Sequence, residues 1–278
     1  KLTDKTPLDN KGIAHLIILA ENQEGYRNLC KLVSIAHLKG FYYKPRIDKQ
    51  ILREYHKGLI GFSACLHGEI PSLIQLGSIE SAERAAREYQ DIFGEGNFFL
   101  EVQSNGIAAQ EKVNQALADM SRRLAIPLVA TNDCHYLRKE DVHAHEVLLC
   151  VQTGKTIHDP EHFKFETDRL YFQSGEEISA ALSEYPGAIQ QTAVIAGRCN
   201  LEFDFNTYHF PNFDADSELT EDQIFNRKVN ERYREVLEVI KAKNPGMDQK
   251  IYDDRLTYEI SVIQDMGFSG YFLIVADF

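Results

Sequence analysis

Four short apolar runs, separated by segments of helical periodicity, constrain this chain more than any other feature. The runs fall at residues 15–20, 59–64, 98–102 and 127–131. Between them Ala82, Ala85, Ala86, Tyr89, Ile92 and Phe93 recur at helical spacing, as do Val113, Ala116, Leu117, Met120 and Leu124. A strand followed by a long helix and then another strand is a βα unit, and repeated βα units build a largely parallel sheet. Periodicity leaves two closures open, a barrel and an open sheet.

After about residue 138 the pattern turns helical, beginning with "EDVHAHEVLLCVQTG". Ser174 with Glu177 has capping-box spacing and predicts a helix running to about Tyr185. A second helix follows Pro186 and is expected to end near Asn200. The stretch "EFDFNTYHFPNFDADSELT" has no sustained period and reads as a connector, predicted to be mobile over 206–219, with the parts on either side packing independently. Thr220 with Gln223 caps the next helix, whose stripe is Ile224, Val229, Tyr233, Val236, Leu237 and Ile240. The closing run "GYFLIVADF" carries no terminating signal, so the chain reads as a piece of a longer protein.

Charge narrows the function. Thirty basic residues against 42 acidic ones leave a net charge of −12, which excludes the broadly basic surface of a free-standing nucleic-acid binder. Metal ions or a protein partner suit this balance better. The cysteines at 30, 65, 134, 150 and 199 are odd in number and irregular in spacing, which favours reduced thiols in a cytoplasmic protein over a disulfide framework. No apolar run approaches the roughly 18 residues of a membrane span. The sequence holds no P-loop, Rossmann glycine pattern, G-x-S-x-G or H-E-x-x-H.

The stretch "ATNDCHY" leaves an apolar run directly into Asp133, Cys134 and His135. In an extended segment alternate residues face one side, so Asp133 and His135 can share a cavity while Cys134 turns away. Carboxylate with imidazole suits zinc, manganese or iron; the alternative is a capped turn with a surface histidine. Cys65 stands at a similar strand exit in "GLIGFSACLHGEI", either as a ligand or as a small buried apolar residue, with His67 read as a solvated turn histidine. His15 opens its strand, the wrong end for a parallel strand; it is either a satisfied edge histidine or reaches the site because that strand runs antiparallel to one upstream. His143 and His145, two apart in a helix, cannot form a helical metal pair. Lys44 and Arg46, in a proline-stiffened loop, offer either a phosphate contact or an ordinary surface salt bridge.

"HLIILAENQEGYRNLCKLVS", "GFYYKPRID", "GLIGFSACLHGEIPSLI", "PLVATNDCHYL", "AHEVLLCVQTGKTI", "LYFQSGEEI" and "MGFSGYFLIVADF" occur in the order seen in bacterial DNA polymerase III alpha subunits, and the chain resembles that family throughout. The resemblance implies an α/β fold. Residues 1–205 would be most of a PHP domain (polymerase and histidinol phosphatase), a distorted TIM-like α/β barrel lacking its start. Residues 206–219 would connect it to a helical segment, 220–278, opening the polymerase palm. The family's metal ligands map onto His15, Cys65, Asp133 and His135, holding zinc, manganese or iron in an intact centre of 3′–5′ exonuclease type. Further ligands of the family, an H-x-H pair among them, are expected before Lys1, so at most one weakly held ion and no nuclease activity are expected here. The polymerase aspartates, which bind magnesium, are expected beyond Phe278, so no polymerase activity is expected either. Implied partners are DNA, nucleotides, a separate proofreading subunit and other replisome proteins including the sliding clamp, with no membrane. Two alternatives stand beside the nuclease: a scaffold that docks the proofreading subunit, and a free-standing PHP phosphatase, against which the closing segment speaks.

Overall fold

The structure is a computed structural model that describes residues 13–207, 211, 213 and 218–278. Part of the predicted connector, residues 208–210, 212 and 214–217, lies outside the described residues. The chain divides into two compact units, Lys1–Glu202 and Phe203–Phe278.

In the first unit β1 (Ile17–Ala20) leads into α1 (Gln23–Leu38), α2 (Lys49–Glu54) and β2 (Leu59–Phe62). Then come α3 (Glu69–Gln75), α4 (Ile79–Phe93), β3 (Phe98–Gln103), α5 (Ala108–Leu124) and β4 (Leu128–Thr131). The helices α6 (Val142–Thr153), α7 (Gly175–Ala181) and α8 (Pro186–Arg198) complete it. Among the described residues the sheet has four strands in the order β1-β2-β3-β4. The βα units give parallel β2–β3 and β3–β4 pairs. β1 is the exception: it runs antiparallel to β2, with Ile17 opposite Phe62 and Ala20 opposite Leu59.

Strand alternation divides the core. Leu59, Phe98, Leu100, Val102 and Ala130 join the predicted stripes of α4 and α5 in the larger cluster. Ile60, Phe62, Phe99 and Val129 meet Ile195 of α8 in the smaller one. Glu101 and Gln103 follow Phe99 at alternate positions, so toward the carboxyl end of the sheet this second face turns polar while staying buried.

Two glycines set how closely α1 approaches the sheet. A β-carbon on Gly25 would lie 1.8 Å from the Gly58 carbonyl oxygen, and Gly58 itself has φ +69°. Only a residue without a side chain lets α1 and the turn entering β2 meet backbone to backbone here. Asn22 caps α1, accepting from the Gly25 N–H at 3.0 Å.

The capping box at Ser174 and Glu177 forms as expected, but α7 ends at Ala181 instead of near Tyr185. The chain leaves helical geometry at Leu182, at φ −112° and ψ 27°, and Pro186 at the start of α8 keeps Tyr185 out of it as well, at φ −122° and ψ 55°. The second unit is helical: α9 (Glu221–Lys243), α10 (Gln249–Asp265) and α11 (Ser269–Asp277). Thr220 and Gln223 cap α9 reciprocally, and Ile224, Phe225 and Leu273 form the buried centre. Of the stripe expected on α9, Ile224 and Leu237 are buried whereas Val236 is exposed. No helix among the described residues is long and apolar enough to cross a membrane.

Candidate metal centre

The antiparallel β1 resolves the difficulty with His15. Because β1 reverses direction, its beginning lies at the edge where β2 ends. The His15 N–H donates to the His67 carbonyl at 2.9 Å, and His15 forms a bridge with Gly68. Its Nδ1 comes 3.6 Å from Cys65 Sγ. The partner that turns His15 to this edge is β2 itself, not a strand upstream. His67 is exposed, as expected of a turn histidine, and its ring lies 5.5 Å from that of His15.

Both strand exits turn through a left-handed residue, Ala64 at φ 63° after β2 and Asp133 at φ 54° after β4. For alanine this geometry is disfavoured by contact of its β-carbon with the backbone, so surrounding structure must hold it. A β-carbon on Gly68 would lie 2.0 Å from the Ser63 oxygen, so the turn carrying Cys65 closes only around glycine. Burial pushes the Cys65 thiol up, and the negative charges of Asp133 and Glu101 push it the same way, partly offset by a backbone hydrogen bond from His67. A thiol in such surroundings ionises only when a cation accompanies it.

The β4 exit is tied to the segment before α7. The His135 N–H donates to the Leu170 carbonyl at 2.7 Å, and Tyr136 bridges to Tyr171. His135 Nδ1 lies 2.8 Å from the Asp133 main-chain oxygen. A carbonyl only accepts, so Nδ1 carries the hydrogen and Nε2 keeps the lone pair a metal needs. The ring rests against Phe165 at 4.9 Å and His145 at 5.9 Å between centroids. His145, set aside as half of a helical pair, is thus a neighbour of His135. Burial, and then the neighbouring His135 imidazole, hold the His145 imidazole below its ordinary value.

The structure therefore brings His15 and Cys65 together, while His135 packs with His145 and Phe165. Among the described residues no three His, Cys, Asp or Glu side chains gather as a group able to hold a metal ion. The donor types are those that suit a borderline divalent metal. Lys44 is exposed in its loop. Arg46 donates through Nε to the Gly40 carbonyl at 3.1 Å and stacks 5.3 Å from the Tyr42 ring centroid.

Sequence reasoning missed Glu101. Its signal was present: a lone acid inside the apolar strand "FFLEVQ". It is 1% exposed, and its N–H donates to Ser63 Oγ at 2.8 Å.

Residues 5–105 match the family model of the PHP domain, and residues 221–278 match that of the bacterial DNA polymerase III alpha NTPase domain. The chain is 41% identical over 269 residues to DNA polymerase III subunit alpha of Treponema pallidum (strain Nichols), covering 95% of this chain and 22% of that relative. Against the Thermus aquaticus subunit it is 37% identical over 319 residues, covering 96% of this chain and 26% of the relative. Against that of Deinococcus radiodurans it is 45% identical over 195 residues, 69% of this chain and 14% of the relative. The chain thus spans about a quarter, or less, of the length of these curated relatives.

Proposed function

We propose that this chain works within the alpha subunit of a bacterial replicative DNA polymerase III, its first unit serving as a PHP domain with a metal-dependent phosphoesterase site. The observation that carries this reading is similarity along 95% of the chain to proteins named DNA polymerase III subunit alpha. In such a subunit the 220–278 segment leads toward the polymerase region, whose magnesium ions serve DNA-templated synthesis from nucleotides. The proofreading subunit and the sliding clamp are the protein partners this reading implies, and the cytoplasm its compartment.

At the PHP site His15, Cys65 and Asp133 would hold zinc, manganese or iron, with His135 joining through Nε2. The metal, when bound, polarises a phosphodiester and activates water for 3′–5′ exonuclease chemistry. The chain's own groups do the rest. The Asp133 carbonyl fixes the His135 tautomer, and the β2 exit holds the Cys65 thiol beside His15. Lys44 and Arg46 are offered as phosphate or DNA contacts.

Metal analysis of the 278-residue chain tests the site. At most one ion per chain is expected, and Asp133→Ala should weaken it by about tenfold, or about 1.4 kcal/mol. Two or more bound ions, or no effect of Asp133→Ala, would sink the ligand assignment. A second reading, that the domain chiefly scaffolds the polymerase and docks the proofreading subunit, draws support from the net charge of −12 and from the lack of a closed donor group among the described residues.

A further inference from the structure

From Gly25 to Ile47 the chain carries Arg27, Lys31, Lys39, Lys44 and Arg46, and not one aspartate or glutamate. In a chain of net charge −12 this stretch stands apart. It ends in the loop between α1 and α2, "KGFYYKPRID", which sets aromatic rings among the cations. The rings are displayed more than packed: Tyr43 is 83% exposed and Phe41 56%. Phe41 lies against the exposed His37 ring, 6.4 Å between centroids and 28° apart in plane. Tyr43 meets Tyr42 edge-on at 4.7 Å, and Tyr42 in turn is braced by the Arg46 guanidinium over its ring. Lys44 is exposed and has no ion pair among the described residues.

The backbone adds a second observation. The Tyr42 N–H donates to the Lys44 carbonyl at 3.1 Å and closes a tight turn with Tyr43 at its tip, at φ 59°. Left-handed geometry suits glycine or asparagine, and a bulky aromatic is out of place there. A ring that stands in solvent and strains its own backbone points to a use outside the fold. The loop also runs into the edge of the sheet where β2 ends. Lys49, at the start of α2, pairs at 2.8 Å with Glu69, which opens α3 after the Cys65 turn. Exposed rings set among cations, with no acid in the segment, suit single-stranded nucleic acid, whose bases stack on the rings while its phosphates meet the cations.

We propose that Phe41, Tyr43 and Lys44 form a platform for single-stranded DNA, with Tyr43 stacking on a base and Lys44 meeting a phosphate. This rests on the reading of Lys44 and Arg46 as DNA contacts and adds recognition of the bases to it. Arg46 contributes charge while it holds Tyr42 in place. The competing role is mechanical: the rings would only stiffen the loop, and a strand without bases would then bind equally well.

Fluorescence anisotropy of the 278-residue chain separates these, with a short labelled oligothymidylate and an abasic strand of the same length. Wild type should bind the oligothymidylate about tenfold more tightly than the abasic strand, the scale of one base–aromatic stack. Tyr43→Asn should remove that preference and melt no lower than wild type, because asparagine tolerates left-handed geometry. Tyr43→Phe keeps the ring and should keep the preference. Lys44→Ala should weaken both strands alike and lower the salt dependence by about one phosphate. Equal affinity of wild type for the two strands, with Lys44→Ala weakening both, overturns the platform and leaves the phosphate reading standing. Binding of neither strand at low salt overturns the two together. A lower melting temperature in Tyr43→Asn overturns the platform, since the ring would then serve the fold. So does a preference that survives in Tyr43→Asn or is lost in Tyr43→Phe.

Discussion

In the first unit every residue of β2 and β3 is buried, whereas in the second α10 buries none of its seventeen residues. The first unit packs a sheet between helices, so each strand contributes side chains to two faces. The second gathers its helices around Ile224, Phe225 and Leu273 and leaves Ile251, Tyr258, Met266 and Val275 exposed. Its order leans on local devices. These include the capping box at Thr220, the Asp248 cap of α10, and the Tyr233 hydroxyl donating to Asp253 at 2.7 Å. A unit with a deep core tolerates loss of a cap, whereas one with a thin core feels each cap as a larger share of its stability.

The largest expected effect breaks the core on one side only. Phe98 is 1% exposed and stacks on Tyr89 and Phe93 at 5.2 and 6.0 Å. Phe98→Ala should cost the first unit about 3–5 kcal/mol through lost burial and the cavity left behind. Hydrogen exchange followed segment by segment should show β2, β3 and α4 losing protection while α9 and α11 keep theirs. Equal loss in both units would mean they unfold as one block, and the comparison would fail.

A smaller effect sharpens the contrast from the other side. Thr220→Ala removes the hydroxyl that accepts from the Gln223 N–H at 3.3 Å and should cost about 1 kcal/mol. In the second unit that loss should appear as faster exchange along the first turns of α9. Ser174→Ala, which breaks the same motif in the first unit, should leave the sheet untouched. If the two caps behave alike, core depth is not what distinguishes the units.

The smallest effect is a dependence on pH confined to the first unit. The His162 ring reaches Glu146 at 2.6 Å through Nε2 and the Asp159 carbonyl at 2.5 Å through Nδ1. The Glu146 carboxylate and then the Asp159 carbonyl hold the imidazole above its ordinary value, with Lys164 opposing. His162 in turn holds Glu146 below the ordinary carboxylate value. A raised imidazole stabilises the fold below its unfolded value, and that contribution fades as pH rises through the folded one. A lowered carboxylate stabilises above its unfolded value and fades as pH falls through the folded one. The tie is therefore strongest in mildly acid solution and loosens on the alkaline side. Amides of 155–165 should lose protection between those conditions in wild type, once intrinsic exchange rates are corrected for, and His162→Gln should abolish the difference. Identical protection in wild type at both would remove the tie from the account.

The parts of the fold legible in the sequence are those set by period and by local chemistry. The buried stripe of α4 is the predicted six residues, and both capping boxes form where their spacing placed them. Strand direction was not legible. An apolar run such as "HLIILA" looks the same read either way, and only its pairing with β2 brings His15 beside Cys65. For the site, residue type pointed to Cys65, Asp133 and His135. Glu101 was visible as a lone acid in an apolar strand, but it belongs to no motif, and its burial follows only from the helices that cover both faces of β3. The approach of His145 to His135 depends on how α6 lies against the β4 exit, which no local pattern encodes.

The meeting of Gly25 and Gly58 bears on how relatives of this chain should vary. Each backbone occupies the space that the other's β-carbon would need: a side chain on Gly58 would come within 2.6 Å of the Gly25 nitrogen, and one on Gly25 would enter the Gly58 carbonyl. Neither position can drift by single substitution, and changing both together makes the crowding worse. In a lineage that had lost every candidate metal ligand, these two glycines should persist while His15 and Cys65 wander. Their invariance would then mark the close approach of a helix and the turn that enters a strand, and would hold no information about catalysis.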